Sequence, residues 1–163
     1  MKDENSLHFH SNKLHKVLVH SYAVYLFLFI IGVILDTFFD FEIFPNHLMT
    51  PVGVFLIIFG TFLIFWAQKT SHSIFGKNIN NIEKEITKEI FYRGPYVYTR
   101  SPTHWGLFLL ILGFGFMTNA FFVVLLTIFS FLLTHFVFLD KHEKILEEKY
   151  GDHYKAYKKL VKF

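Results

Sequence analysis

Four long apolar segments, separated by polar ones, dominate the pattern of this chain. They cover residues 17–35, 51–67, 103–117 and 120–139. A helix needs about 17–25 apolar residues to cross a hydrocarbon core of about 30 Å. The first and fourth segments have this length, the second is at its lower limit and the third is shorter. The pattern therefore predicts an all-α integral membrane protein with about four transmembrane helices.

The polar stretches between these segments divide the chain. We expect a polar N-terminal tail (1–16), a first transmembrane pair (17–67), a cytosolic loop (68–102), a transmembrane hairpin (103–139) and a C-terminal amphipathic helix (140–163). Within the loop, isoleucines recur at every fourth position among charged side chains, which predicts a further amphipathic helix. These isoleucines are Ile82, Ile86 and Ile90.

The basic residues indicate how the helices are oriented. Every Lys and Arg lies in the N-terminal tail, in the loop 68–102 or after residue 139, and the two short connections carry none. In membrane proteins Lys and Arg concentrate on the cytosolic side. We therefore expect both termini and the long loop in the cytosol, with the short connections at 36–50 and 118–119 on the opposite side.

Composition narrows the function classes. Hydrophobic residues make up 53% of the chain and its mean hydropathy is +0.39, as is typical of a membrane protein. The absence of cysteine excludes disulfides, thiolate metal sites and a cysteine nucleophile. No glycine-rich dinucleotide fingerprint follows a strand pattern. A net charge of +3, spread over one membrane face, fits anionic lipid headgroups better than nucleic acid.

Ten histidines raise the question of a metal site. The His-x-x-His-His clusters of membrane di-iron enzymes do not occur in this sequence. His135 lies in the fourth apolar segment, where an ionisable side chain is costly and often functional, and His20 lies in the first. A metal or haem site on these two residues is the minor alternative, and our main prediction contains no metal.

The segment from Gly94 to Gly106 is the most informative part of the chain for its function. It reads Gly-Pro-Tyr-Val-Tyr-Thr-Arg-Ser-Pro-Thr-His-Trp-Gly and runs into the third apolar segment. A helix entered through X-Pro turns exposes its first backbone N–H groups and the positive end of its dipole. Because Arg100 lies beside it, this helix start predicts a site for an anionic group at the membrane surface.

Two blocks of the sequence resemble the signatures of one enzyme family. The first is Gly-Pro-Tyr-x-x-x-Arg-x-Pro-x-x-x-Gly at 94–106, and the second is Glu-x-x-Leu-x-x-x-x-Gly-x-x-Tyr-x-x-Tyr at 143–157. Their order and spacing, on either side of a transmembrane hairpin, resemble the isoprenylcysteine carboxyl methyltransferase family and its phospholipid N-methyltransferase relatives. The resemblance runs from about Gly94 to Val161.

The chain departs from the family signature at several positions. Ser101 stands where the family has histidine, His104 where it has tyrosine, His142 where it has the first glutamate of a pair, and Tyr150 where phenylalanine is usual. His104 offers an imidazole in place of the one missing at Ser101, from a position three residues further along. The departures therefore concern the cofactor site more than the fold.

The resemblance implies a methyltransferase that uses S-adenosylmethionine and acts at the cytosolic membrane face. Its expected partners are membrane lipids and a lipophilic or prenylated acceptor, either an isoprenyl carboxylate or a lipid amine, and no nucleic acid. The implied catalytic residues are Arg100, His104 and Glu143. The implied cofactor-binding residues are Tyr96, Arg100, Ser101, Pro102, His104, Trp105, Gly106, His142, Glu143 and Tyr154. In this interpretation Arg100 holds the cofactor carboxylate, Glu143 its ammonium, and aromatic rings its adenine or sulfonium, while the C-terminal helix closes the site.

Two other functions fit the same architecture. Membrane sterol reductases resemble this family in their C-terminal halves, so Arg100 and the loop lysines would then bind the phosphates of NADPH. A catalytically degenerate binding or scaffold protein would keep the fold while Ser101, His104 and His142 are altered. If the first two spans face the third and fourth, six aromatic residues would form a cavity wall for a lipophilic acceptor, and the simpler interpretation of each is a lipid-facing side chain. These residues are Phe27, Phe55, Phe59, Phe62, Phe65 and Trp66.

Overall fold

A computed structural model of the protein describes residues 2–39, 41, 46–75 and 93–161. Within these residues every regular element is helical. The elements are α1 (Lys2–Phe38), α2 (Asn46–Phe75), a 3₁₀ turn (Gly94–Val97), α3 (Pro102–Thr118), α4 (Phe121–Thr134), a π-helical segment (His135–Leu139), α5 (Asp140–Tyr150) and α6 (Asp152–Leu160). The amphipathic helix predicted around Ile86 lies outside the described residues.

Two of the helices contain apolar segments long enough to cross a membrane. They are Val19–Phe38 in α1 and Met49–Ser71 in α2, and most of each lies on the surface of the protein. The apolar helices Pro102–Thr118 and Phe121–Val137 are shorter. Large hydrophobic side chains point outward, as Phe55 does with 65% of its surface exposed. A continuous apolar surface of this kind is suited to lipid, and the prediction of an all-α membrane protein is confirmed.

Helix α1 continues back through the polar N-terminal segment. It begins at Lys2, so the segment expected as a tail is helical from its second residue. Extending an existing helix requires no new nucleus, and the Leu, Lys and Glu residues of this segment favour helix. The polar part of α1 therefore projects beyond the apolar segment that starts at Val19.

Glycines bring α2 and α3 into backbone contact. Gly53 faces Gly113, and two turns further along Gly60 faces Gly106. A Cβ atom on Gly53 would lie 2.5 Å from the carbonyl oxygen of Gly113, and one on Gly60 would lie 2.7 Å from that of Gly106. Ala67 continues the row on α2 and is completely buried. Since helices in lipid associate through close packing rather than the hydrophobic effect, these small residues fix the α2–α3 pair.

A carboxylate from α1 caps the start of α4. The oxygens of Asp36 accept hydrogen bonds from the backbone N–H groups of Phe122 (3.0 Å) and Val123 (2.9 Å). The first N–H groups of a helix have no acceptor within it, and a negative charge there also meets the positive dipole end. Towards the other end of α4, the hydroxyl of Thr134 donates to that of Tyr25 over 3.2 Å. These polar contacts tie α1 to both ends of α4.

The C-terminal segment forms two helices where the sequence predicted one. Gly151 separates α5 from α6 and has φ +59°, a left-handed conformation that glycine adopts without strain. Beyond this break, Tyr154, Tyr157 and Val161 form a buried apolar cluster with Leu146 of α5. Helix α6 therefore folds back onto α5.

We expect Gly60→Leu to destabilise the protein by about 1–3 kcal/mol, the usual effect of overpacking. The new side chain would begin 2.7 Å from the Gly106 carbonyl oxygen and 2.9 Å from the Leu110 amide nitrogen, backbone atoms that move only if the helices separate. Thr61→Leu, on the exposed face of the same helix, is the matched control. Thermal unfolding in detergent, followed by tryptophan fluorescence, measures both variants, and equal melting temperatures would contradict the proposed backbone contact.

We also expect Asp36→Ala to lower the stability by about 1–2 kcal/mol, because the N–H groups of Phe122 and Val123 lose their acceptor. Thr37→Ala is the control, since this exposed hydroxyl bonds only to the Val33 carbonyl of its own helix, at 2.8 Å. Hydrogen exchange at the start of α4 should become faster in the Asp36 variant and stay unchanged in the control. Unchanged exchange in both would show that the cap does not stabilise α4.

Candidate functional site

Arg100 and Glu143 lie in direct contact, which joins the two sequence blocks in space. The Nη1 atom of Arg100 lies 2.5 Å from Oε1 of Glu143, in ionic contact rather than in an aligned hydrogen bond. The two side chains are 14% and 7% exposed. Charges removed from water to this extent are stable only when they are paired. The contact therefore depends on both residues being held in place.

The local backbone positions each partner of this pair. The 3₁₀ turn Gly94–Val97 precedes Arg100, and Ser101 then leads into α3, which begins with Pro102. Proline costs no hydrogen bond at a helix start, where the N–H has no intrahelical acceptor. On the other side, the π-helical segment His135–Leu139 separates α4 from α5. Its wider turn changes the direction in which α5 presents its side chains.

A second cation, Lys158 of α6, also contacts Glu143. Its ammonium nitrogen lies 2.7 Å from Oε2 of Glu143 and 2.9 Å from Oε1 of Glu147. The hydrogen bonds to Glu143 and Glu147 raise the pKa of Lys158 above its usual value, and the hydrogen bond from Lys158 lowers the pKa of Glu147. Glu143 thus has Arg100 on one oxygen and Lys158 on the other.

Tyrosines fasten α6 to the segment that precedes α3. The hydroxyl of Tyr157 donates to the backbone oxygen of Tyr96 over 2.6 Å, and the hydroxyl of Tyr96 lies 2.9 Å from that of Ser71 in α2. Tyr154 is 2% exposed and lies beside Tyr157. Burial raises the pKa of Tyr96 and that of Tyr154, where the charge of Glu143 adds to the effect. Both hydroxyls are therefore protonated at neutral pH.

His104 and Trp105 face α1 and α4. The Nε2 atom of His104 lies 3.0 Å from the hydroxyl of Ser21, and its ring lies 5.4 Å from that of Tyr22. The ring of Trp105 lies 4.7 Å from that of Phe131. A small cavity is lined here by Ser101, His104, Trp105, Phe131, Thr134 and His135. Its volume of about 10 Å³ is at the lower limit for one water molecule.

The other residues implied by the resemblance have different surroundings. Gly106 faces α2, and a Cβ atom there would lie 2.9 Å from the carbonyl oxygen of Gly60. Gly106 therefore serves the helix contact. Pro102 is buried at the start of α3, and Ser101 lines the small cavity. His142 belongs to α5 by its backbone, but its side chain lies outside the described part of the chain.

The histidines considered as metal ligands have other contacts. The Nδ1 atom of His20 donates to the carbonyl oxygen of Lys16 within α1, at 2.7 Å. The ring of His135 stacks on that of Phe131. Among the side chains that the structure describes, no three of His, Asp or Glu come together as a metal site.

An apolar groove lies between α1, α2 and α3. Its volume of about 560 Å³ falls in the range of about 300–1,000 Å³ typical of ligand sites. The hydrophobic part is lined by residues that include Leu26, Phe29, Ile64, Leu107, Leu110 and Phe114. The polar lining residues Tyr22, Gln68 and Thr103 lie at one end, where the hydroxyl of Tyr22 donates to that of Thr103 over 3.4 Å.

The aromatic residues expected to form a cavity wall do not line this groove. Exposed fractions of 46–65% place five of them on outward faces, namely Phe27, Phe55, Phe59, Phe62 and Phe65. The sixth, Trp66, packs against Phe62 at 5.8 Å. Helices that are apolar all round give no sequence signal for the face that turns inward. Of the two alternatives for these five residues, the structure agrees with lipid-facing side chains and not with a cavity wall.

Sequence reasoning also missed Lys158 and its contact with Glu147. Eleven positions separate these residues, and in an unbroken helix they would lie about 16 Å apart. The break at Gly151 brings them within 2.9 Å. The available signal for such a break was Gly151 followed by Asp152, because glycine is common at helix ends and aspartate at helix starts.

Comparison with known proteins identifies the family of the chain. A family model described as phospholipid methyltransferase matches residues 48–153, about two thirds of the chain. The match includes both Arg100 and Glu143, and it confirms the family resemblance seen in the two sequence blocks. No curated protein and no solved structure gives a significant match. The chain therefore belongs to the phospholipid methyltransferase family, a family of membrane proteins that methylate lipid substrates.

Proposed function

We propose that this protein transfers a methyl group from S-adenosylmethionine to a lipophilic acceptor at the cytosolic face of its membrane. The observation that supports this most is the buried contact between Arg100 and Glu143. S-adenosylmethionine supplies the methyl group from its sulfonium, and its amino-acid part has one carboxylate and one ammonium. A buried cation beside a buried anion is complementary to that pair of charges.

Each charged residue then has a distinct role in holding the cofactor. Arg100 binds the carboxylate through its planar guanidinium, assisted by the first backbone N–H groups of α3. Glu143 binds the ammonium. Tyr154 lies close enough to Glu143 for that charge to raise the pKa of its hydroxyl. Its buried ring offers an aromatic face for the adenine or the sulfonium. Tyr96 and Trp105 are proposed as further aromatic surface of the site.

His104 is proposed to accept a proton when the acceptor is an amine. Its hydrogen bond with Ser21 fixes the imidazole ring against α1. An amine nitrogen attacks only in its unprotonated form, whereas a carboxylate acceptor needs no base. Most of the rate enhancement then comes from aligning the two reactants and excluding water, without a covalent intermediate.

The groove between α1, α2 and α3 is proposed to hold the hydrocarbon chain of the acceptor. It follows α3 from Thr103 to Phe114, a length of about 16 Å. This is about half of a hydrocarbon core of about 30 Å, so the groove matches one leaflet. Tyr22 lines the polar end of the groove and contacts His104. A lipid lying in the groove would therefore have its head group beside His104.

The distribution of basic residues supports a cytosolic site. Arg100, Glu143 and Lys158 lie in the segments where Lys and Arg concentrate. We propose four crossings, with a first pair at 17–67, a loop at 68–102 and a hairpin at 103–139. The two short apolar helices are accommodated by local thinning of the bilayer.

S-adenosylhomocysteine should bind the detergent-purified protein in a calorimetric titration. Arg100→Gln and Glu143→Gln should each weaken binding roughly 10- to 100-fold, because a charge-assisted hydrogen bond contributes about 1.5–3 kcal/mol. Arg93→Gln changes an exposed arginine next to the 3₁₀ turn and is the matched control.

Two results would redirect the assignment. If NADPH binds and S-adenosylhomocysteine does not, even at millimolar concentration, the protein is a reductase rather than a methyltransferase. If affinity for S-adenosylhomocysteine arises only after Ser101→His and His142→Glu are combined, the native protein is a degenerate member of the family.

The groove can be tested separately from cofactor binding. Leu110→Trp should fill it and lower methyl transfer into lipid by about tenfold or more, with unchanged affinity for S-adenosylhomocysteine. Leu132→Trp, at a 47% exposed position on α4, is the control. Labelled S-adenosylmethionine with either phosphatidylethanolamine or a farnesylated cysteine analogue distinguishes an amine from a carboxylate acceptor. Label in water-soluble products alone would exclude a lipid acceptor.

A further inference from the structure

Glu143 contacts two cations, Arg100 and Lys158, and only Arg100 has a role in the proposed cofactor site. Arg100 lies on Oε1, while the ammonium of Lys158 lies 2.7 Å from Oε2. The amino-acid part of S-adenosylmethionine carries an ammonium of the same kind. Both ammonium groups need an oxygen of the same buried carboxylate, so Lys158 and the cofactor compete for Glu143.

We propose that Lys158 is a built-in competitor of the cofactor: it neutralises Glu143 in the ligand-free protein and moves to Glu147 alone when S-adenosylmethionine binds. This inference rests on the proposed function and adds a residue that sets the affinity of the same site. Lys158 lies in neither of the two sequence blocks, and its role follows from the contacts of α6.

Exposure makes Lys158 the cation that can leave. Its side chain is 41% exposed, whereas that of Arg100 is 14% exposed. A lysine has a flexible stem and a compact charge, while the planar guanidinium is matched to a carboxylate. Glu147 already lies 2.9 Å from the Lys158 ammonium and is 29% exposed. After leaving Glu143, Lys158 therefore keeps one anionic partner in a partly hydrated position.

The exchange leaves every charge with a partner. In the ligand-free protein, Arg100 and Lys158 neutralise Glu143 and Glu147. The cofactor's amino-acid part adds one carboxylate and one ammonium, which pair with Arg100 and Glu143, and Lys158 remains with Glu147. No charge is buried alone at either stage, so the cost of an unpaired buried ion is avoided.

Competition of this kind also favours product release. S-adenosylhomocysteine keeps the carboxylate and ammonium of the cofactor and has lost only the methyl group and the sulfonium charge. The return of Lys158 to Glu143 then assists dissociation, and differences in affinity among related complexes lie mostly in the dissociation rate. Lys158 thus lowers the affinity for cofactor and product alike.

The two ends of the Lys158–Glu147 pair should give opposite results in calorimetric titrations with S-adenosylhomocysteine. Lys158→Met removes the competitor and should tighten binding about fivefold, equivalent to about 1 kcal/mol, the upper range for an exposed ion pair. Glu147→Gln removes the alternative partner, keeps Lys158 on Glu143, and should weaken binding about fivefold. A purely structural ion pair would change the affinity in the same direction from either end.

Three controls test whether competition between the Lys158 and cofactor ammonium groups causes these changes in affinity. Lys158→Arg keeps a cation and should bind less tightly than Lys158→Met. Lys155→Met removes an exposed cation that pairs with Asp152 on the same helix and should have no effect. The ligand 5′-methylthioadenosine lacks both the ammonium and the carboxylate, so neither Lys158→Met nor Glu147→Gln should change its affinity.

Weaker binding to Lys158→Met, in protein shown by thermal unfolding to be folded, would overturn the inference while leaving the cofactor assignment intact. If Lys158→Met does not fold, Glu147→Gln decides the matter, and unchanged or tighter binding would overturn the inference. Absence of S-adenosylhomocysteine binding to the wild-type protein would instead overturn the proposed function.

Discussion

The buried ion pair of Arg100 and Glu143 is the contact on which the junction of α3, α5 and α6 depends. Removing two charges from water costs several kcal/mol for each ion, and only their mutual contact offsets that cost. Arg100 stands directly before α3, and Glu143 lies in the helix that follows α4. For the two side chains to meet, α3 and α4 must form a hairpin that brings α5 back beside Arg100. It also explains why α6, which brings Lys158 to the same carboxylate, packs here rather than extending away.

The positions of the helices could be predicted, because apolar segments of sufficient length have few alternatives in lipid. A turn at Asn119 and Ala120 separates α3 from α4, one residue beyond the pair Thr118 and Asn119 that the pattern indicated. The all-α membrane fold and the family are confirmed. The inward faces could not be predicted. Helix α2 is apolar on every side, so large residues such as Phe55 do not mark the face that packs. Small residues such as Gly53 and Gly60 form the contact with α3.

Within the candidate site, the resemblance named Arg100 and Glu143, which the structure places in contact, and the roles assigned to them stay predictions. Lys158 was missed because its partners depend on a helix break that one glycine permits. Gly106 was assigned to the cofactor on the resemblance, whereas its surroundings in the structure belong to the α2–α3 contact. Long-range contacts of this type follow from packing, which periodicity alone does not report.

Two of the four positions at which this chain departs from the family signature share one location. Ser101 and His104 line the same small cavity, and His135, from outside both sequence blocks, lines it too. Two imidazoles from different segments therefore lie close to position 101, where the family signature has its own.

The helix cap formed by Asp36 bears on which part of the chain can fold by itself. The family model matches residues 48–153, and Asp36 lies before that region. So does Ser21, which holds His104, while Lys158 follows the region. A fragment cut at the borders of similarity would leave the first N–H groups of α4 without their acceptor. The matched region and the physically self-sufficient unit thus have different borders in this chain, and the first helix belongs to that unit although it lies largely outside the match.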